Sequence, residues 1–105
     1  MSDVFDNKLT PAQLERLAIL GEELGEAQQV IGKIIRHGYE SGNPLIDYEA
    51  NRSLLERECG HVYEAILMLC RDKDISESEV NRSQEQKKQN IKRWLHHQRR
   101  LDESV

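Results

Sequence analysis

Residues 10–38 read TPAQLERLAILGEELGEAQQVIGKIIRHG, and their spacing decides the fold. Thr10-Pro11-Ala12-Gln13 combines an N-cap residue, a proline at the first helical position and a glutamine placed for a capping box. No proline interrupts the residues that follow, and Gly38 stands where a helix closes on a C′ residue. At about 100° per residue, Glu15, Glu22, Gln29 and Lys33 gather in one narrow wedge, the solvent face. Glu23 does not join them. It falls amid Ile19, Leu20, Ala27, Val30 and Ile34, with Glu26 one turn on at the edge of that arc. Leu14, Leu17, Gly21, Leu24, Ile31 and Ile35 occupy the opposite side, so this helix is expected to pack on two sides.

Outward from this helix, residues 38–50 include Gly42, Asn43 and Pro44 and read as a long connection, of a length that often carries function in a compact domain. A second helix is expected from Asn51, as its cap, to about Arg71. It repeats the pattern of the first. Arg57, Glu64 and Arg71 share the wet wedge, while Glu58 lies amid Leu54, Leu55, Val62, Ala65, Ile66 and Leu69, with His61 one turn on. Asp72-Lys73-Asp74 marks a break. Ser76-x-x-Glu79 is another capping box and opens a third helix expected to reach roughly Arg100. That helix is polar; Val80, Ile91, Trp94, Leu95 and Leu101 are its few large apolar residues, and Trp94 is expected to be its core anchor. Three main helices and no strand pattern make the fold class all-α.

The chain has 105 residues, the length of one domain, with residues 1–9 and 101–105 expected to be frayed tails. Only 37% of residues are hydrophobic and 5% aromatic, against 32% charged. That is lean for a self-sufficient monomer, so part of the apolar surface is expected between subunits of a homodimer or homotetramer. A net charge of −4 argues against a stable nucleic-acid complex, although the C-terminal third is locally basic. No apolar run is long enough to span a bilayer, and no signal peptide is evident. Cys59 and Cys70 are too far apart along one rigid helix to form a disulfide, and read as free thiols packed as small hydrophobes in a reducing cytoplasm.

The carboxylates on the apolar arcs carry the chemistry. Glu23 and Glu26 stand at i, i+3, and so do Glu58 and His61. A buried ionised carboxylate without a partner costs several kcal/mol. An ion pair with Arg16 or Lys87 would answer for one acid. A divalent ion bridging two facing helices answers for three acids and a histidine together. Oxygen-rich ligands suit Mg²⁺, which retains waters and binds substrate phosphates.

At these residues the sequence resembles the MazG-like all-α nucleoside triphosphate pyrophosphohydrolases. That family carries E-x-x-E on one helix and E-x-x-D on the next. Glu22-Glu23-Leu24-Gly25-Glu26 holds the first half intact, and Glu58-Cys59-Gly60-His61 holds the second with histidine in place of aspartate. Lys87-x-x-Asn90-x-x-Arg93-Trp94 matches the family's basic third helix. The run from Ile31 through Arg36, His37 and Gly38, with the long loop after it, is similar to phage and bacterial members. The resemblance covers roughly residues 14–95.

It implies a MazG-like helical bundle completed by oligomerisation, which hydrolyses a (deoxy)nucleoside triphosphate to the monophosphate and pyrophosphate for nucleotide-pool control. It makes Glu23, Glu26, Glu58 and His61 the metal ligands, with one carboxylate left to orient the attacking water. It also implies that Lys87 joins the catalytic set and, with Asn90 and Arg93, holds the phosphates. Arg36 and Tyr39 are candidates for contact with the substrate, Tyr48 for stacking on the base and Asn43 for reading its edge. His37 is expected to cap the first helix. His61 is neutral and favours softer ions than Mg²⁺, so Mn²⁺ is expected to serve as well or better. The alternative is a weakened or inactive bundle that acts as a binding protein, with His61 as the sign of that loss.

Overall fold

The structure is a computed structural model that describes residues 6–42 and 49–98. Among the described residues there is no strand, and three α-helices are followed by one 3-10 turn: α1 Pro11–His37, α2 Asn51–Arg71, α3 Glu77–Asn90 and the turn Ile91–Trp94. The chain divides after Asp74 into two compact units.

The first unit is a hairpin of α1 and α2. The capping box that starts α1 is complete: the Gln13 backbone N–H donates to Thr10 Oγ1 at 3.1 Å, and the Thr10 N–H donates to Gln13 Oε1 at 2.9 Å. At the other end Gly38 adopts φ 91°, and its N–H donates to the Ile34 carbonyl at 2.7 Å. Only glycine adopts that conformation without steric cost, so the chain leaves the helix there.

Asn51 does not cap α2. Ala50 stands at the N-cap, without a side-chain hydrogen bond. Asn51 is instead buried, its Nδ2 donating to the Gly38 carbonyl at 3.2 Å and its backbone N–H to the Ser41 carbonyl at 2.8 Å. Its amide is spent on the neighbouring helix end rather than its own. The open end of the hairpin is clasped by charge: Arg16 Nε and Nη2 donate to the two carboxylate oxygens of Asp74 at 2.6 and 3.0 Å. Asp74 is placed for this by a sharp helix end, in which Asp74 N–H donates to Leu69 O and Lys73 N–H to Cys70 O. Lys73 takes φ 64° at that turn, the pattern of a Schellman motif built without glycine.

Between the two clasps the arcs read from the sequence meet. Val30, Ala65, Leu69 and Cys70 are buried, with Leu20, Ala27, Ile34, Leu54, Leu55, Val62 and Ile66 half-buried around them. Glu15, Glu22, Gln29, Lys33, Arg57, Glu64 and Arg71 are all exposed, as their wedges require. On the second apolar side of α1, Leu14, Leu17, Leu24, Ile31 and Ile35 are exposed among the described residues. Cys70 packs as a small hydrophobe, whereas Cys59 is exposed, contrary to the expectation for both.

The second unit is α3 with the 3-10 turn. Ser76 caps α3, accepting from the Glu79 N–H at 3.3 Å, but Glu79 does not reciprocate; its carboxylate pairs with Arg82 at 2.7 Å. The continuous helix expected to Arg100 ends at Asn90, tightens into the 3-10 turn and leaves helical geometry at Leu95. No residue of α3 is buried. Trp94 is 74% exposed rather than a core anchor.

Candidate metal centre

The i, i+3 pairs place four ligating side chains on facing turns of the hairpin. Glu23 and Glu26 come from α1, and Glu58 and His61 from α2. Each offers one ligand atom, and the four atoms all lie within 4.8 Å of one another. Two ligands on opposite sides of one Mg²⁺ stand about 4.2 Å apart.

The acids are held in by the hairpin's own packing. The Glu23 side chain is 20% exposed and that of Glu58 12%. One oxygen of each, Glu23 Oε2 and Glu58 Oε2, is buried without a hydrogen-bond partner. His61 Nδ1 lies 3.2 Å from the first and 3.4 Å from the second, at ion-pair distance. The imidazole thus spans the two carboxylates from the wetter side of the cluster. The Glu26 carboxyl is held above its ordinary range, chiefly by the negative charge of Glu23, then by that of Glu58 and by burial. Three acids that repel one another, with the His61 ring across two of their buried oxygens, make one cluster of ligand-type side chains.

Arg16 does not neutralise these acids. Its guanidinium is committed to Asp74, with Asp72 at 3.8 Å on its other side. The ion pair with Arg16, which the sequence left as a rival account of the buried acids, is therefore overturned by geometry. Glu22, one residue from Glu23, is exposed and outside the cluster.

The other candidates are placed elsewhere. Arg36 lies roughly 140° around α1 from Glu23, by the helical repeat. It borders an open groove of about 520 Å³ lined by Gly25, Gln28, Gln29, Gly32 and Lys33. Tyr39 follows α1, its ring covered by the Arg52 guanidinium at 4.5 Å, while Arg52 Nε donates to Glu40 at 2.6 Å. One face of Tyr39 is thereby used inside the hairpin. His37 lies in the last turn of α1, where a basic side chain complements the carbonyl end. Lys87 and Asn90 are exposed on the last turn of α3, and Arg93 is exposed in the 3-10 turn of the second unit. Asn43 and Tyr48 lie outside the described residues. Sequence reading missed the Asn51 and Asp74 clasps that hold the cluster's two helices in register; a break with two aspartates opposite an inward-facing arginine was the available signal.

No family model, no curated protein and no solved structure matches the chain.

Proposed function

We propose that this chain is a MazG-like nucleoside triphosphate pyrophosphohydrolase acting on a cytoplasmic (deoxy)nucleotide pool as a homodimer or homotetramer. The observation that carries the reading is the convergence of Glu23, Glu26, Glu58 and His61 from two helices, with one buried oxygen each of Glu23 and Glu58 lacking a hydrogen-bond partner. The motif resemblance supports it over residues 14–95. Glu23, Glu26 and Glu58 hold Mg²⁺ or Mn²⁺, with His61 as the fourth ligand. The bound ion supplies neutralisation of phosphate charge and a lowered pKa for water. Of the acids, the one least engaged by the ion orients the attacking water and accepts its proton. The motif resemblance assigns Lys87, Asn90 and Arg93 to the phosphate oxygens and Arg36 and Tyr39 to the nucleoside end, although Arg36 stands on another side of α1 from Glu23.

A panel of nucleoside triphosphates assayed for pyrophosphate release with each metal tests this directly. Release from at least one triphosphate is expected, with Mn²⁺ giving the higher rate at matched saturation because of His61. Mg²⁺ and Mn²⁺ are also expected to raise the melting temperature, since they bind the folded hairpin and not the open chain. A melting temperature indifferent to both ions would falsify the metal site.

One observation favours a second reading. The His61 ring spans Glu23 and Glu58, where the family carries another negative charge. A bundle that binds metal and triphosphate yet releases no pyrophosphate is a binding protein. Retained thermal stabilisation by metal with no turnover across the panel distinguishes it.

A further inference from the structure

Beyond Glu85 the chain stops balancing its charges. Residues 86–98 hold Lys87, Lys88, Lys92 and Arg93 and no acid, in a chain whose net charge is −4. All four cations are exposed, two on the last turn of α3 and two in the 3-10 turn that follows. Five arginines elsewhere are committed to acids: Arg16 to Asp74, Arg52 to Glu40, Arg57 to Glu49, Arg71 to Glu64 and Arg82 to Glu79. Lys87, Lys88, Lys92 and Arg93 make no ion pair among the described residues. Next to them stands Trp94, the one tryptophan of the chain, 74% exposed.

We infer that this end of the second unit binds single-stranded nucleic acid, with Lys88, Lys92 and their basic neighbours on phosphates and the Trp94 ring stacked on a base. Two features together select the ligand. Cations around a flat aromatic ring match a strand that repeats a phosphate and a base at every nucleotide. A duplex keeps its base faces inside the stack and offers Trp94 nothing to lie against. A lipid surface calls for a helix with a broad apolar face, and Val80 is the one large apolar residue of α3. The negative charge of the whole chain does not forbid the contact. Salt screens exposed charges within about 8–10 Å, so an approaching strand meets the local surplus.

The inference goes beyond the triphosphate reading and does not rest on it. Lys88, Lys92 and Trp94 hold no role there, and chelator in the buffer silences any metal-dependent turnover.

The test uses the full chain with Trp94 as its own reporter. The free protein is expected to emit as a water-exposed indole. Oligothymidylate is expected to quench that emission without shifting it, and a DNA duplex of equal length to quench little. Anisotropy of a labelled oligothymidylate then gives the affinity. It is expected to fall about fivefold for each doubling of salt, as for three to four phosphate contacts on a single strand. Replacing both Lys88→Gln and Lys92→Gln is expected to weaken binding about tenfold and to halve the salt dependence. Trp94→Ala is expected to weaken it about tenfold at unchanged salt dependence, and Trp94→Phe to recover most of that loss. Lys33→Gln, on an exposed lysine of α1, is expected to change nothing. Every one of these side chains is exposed, so the fold survives each change. Four results overturn the proposal: a blue-shifted Trp94 in the free protein, no quenching at low salt, Trp94→Ala or the double lysine variant binding like the wild type, or a response to phosphatidylserine vesicles in place of one to oligothymidylate.

Discussion

The hairpin and the segment after Asp74 are both helical, but for different reasons. In α1 and α2 the local signals and burial agree: caps and periodicity start the helices, and Val30, Ala65, Leu69 and Cys70 lock them together. In α3 a serine cap, acidic residues in the first turn and basic ones in the last make a helix that buries nothing of its own. Their acids differ accordingly. Glu79 is exposed and paired with Arg82 one turn on, an arrangement worth little. Glu23 is mostly buried, and its inner oxygen has no hydrogen-bond partner. An acid becomes a candidate ligand by standing on an apolar arc, not by belonging to a motif.

The largest effect tests that contrast within one pair of neighbours. Glu23→Gln is expected to lower pyrophosphate release by about 10²-fold or more, on the scale of losing metal-site interactions. Glu22→Gln is expected to stay within about twofold, because it removes only a solvated charge. Rates measured at saturating metal decide it. Comparable losses in both variants would break the link between helical face and chemistry.

The next effect contrasts the cores. Leu69 is 2% exposed, so Leu69→Ala is expected to cost about 2–5 kcal/mol in denaturant unfolding. Val80→Ala in α3 is expected to cost under about 1 kcal/mol, its side chain being only half-buried. Equal costs would mean that α3 owes its helix to packing after all.

A smaller, pH-dependent effect separates the two units' ion pairs. The Arg16 guanidinium holds the Asp74 carboxyl below its ordinary value of 3.8. Because the folded pKa is depressed, the clasp's contribution is full above the unfolded pKa and fades as pH falls through the folded one. Asp74→Asn is therefore expected to lower the melting temperature at neutral pH and to converge on the wild type in strong acid. Glu79→Gln is expected to change the neutral-pH melting temperature far less, because its pair with Arg82 is exposed. A pH-independent deficit in Asp74→Asn would show that its role is packing.

What the sequence made legible follows the range of the interaction. The Thr10 cap and the Glu22–Glu23 division are local or periodic, and both hold. Asn51 was misjudged because its partner, the Gly38 carbonyl, is 13 residues away and is offered only once the hairpin forms. The Arg16–Asp74 clasp spans 58 residues, so its signal, an inward-facing arginine and a break with two aspartates, lies in two distant places that only the fold connects. Trp94 shows a different gap: a large apolar side chain marks a wish for cover, and residue type alone does not say whether the chain supplies it. The end of α3 was unreadable because no glycine or proline punctuates residues 85–95, and a terminal 3-10 turn needs neither.

The smallest expected effect lies at the end of α2. Lys73 adopts φ 64° while its N–H and that of Asp74 close the end of α2. A side chain in that conformation costs about 1 kcal/mol, which glycine avoids, at some loss of entropy from its freer unfolded chain. Lys73→Gly is expected to raise the unfolding free energy by up to about 1 kcal/mol, read as a higher denaturant midpoint at unchanged slope. Lys73→Ala keeps the strain and is expected to gain nothing. At the end of α3, Ile91 keeps a right-handed φ of −66°, so Ile91→Gly relieves nothing there and is expected to destabilise. If Lys73→Ala matches Lys73→Gly, the gain comes from removing the lysine charge, and the turn that delivers Asp74 to Arg16 is not held against backbone strain.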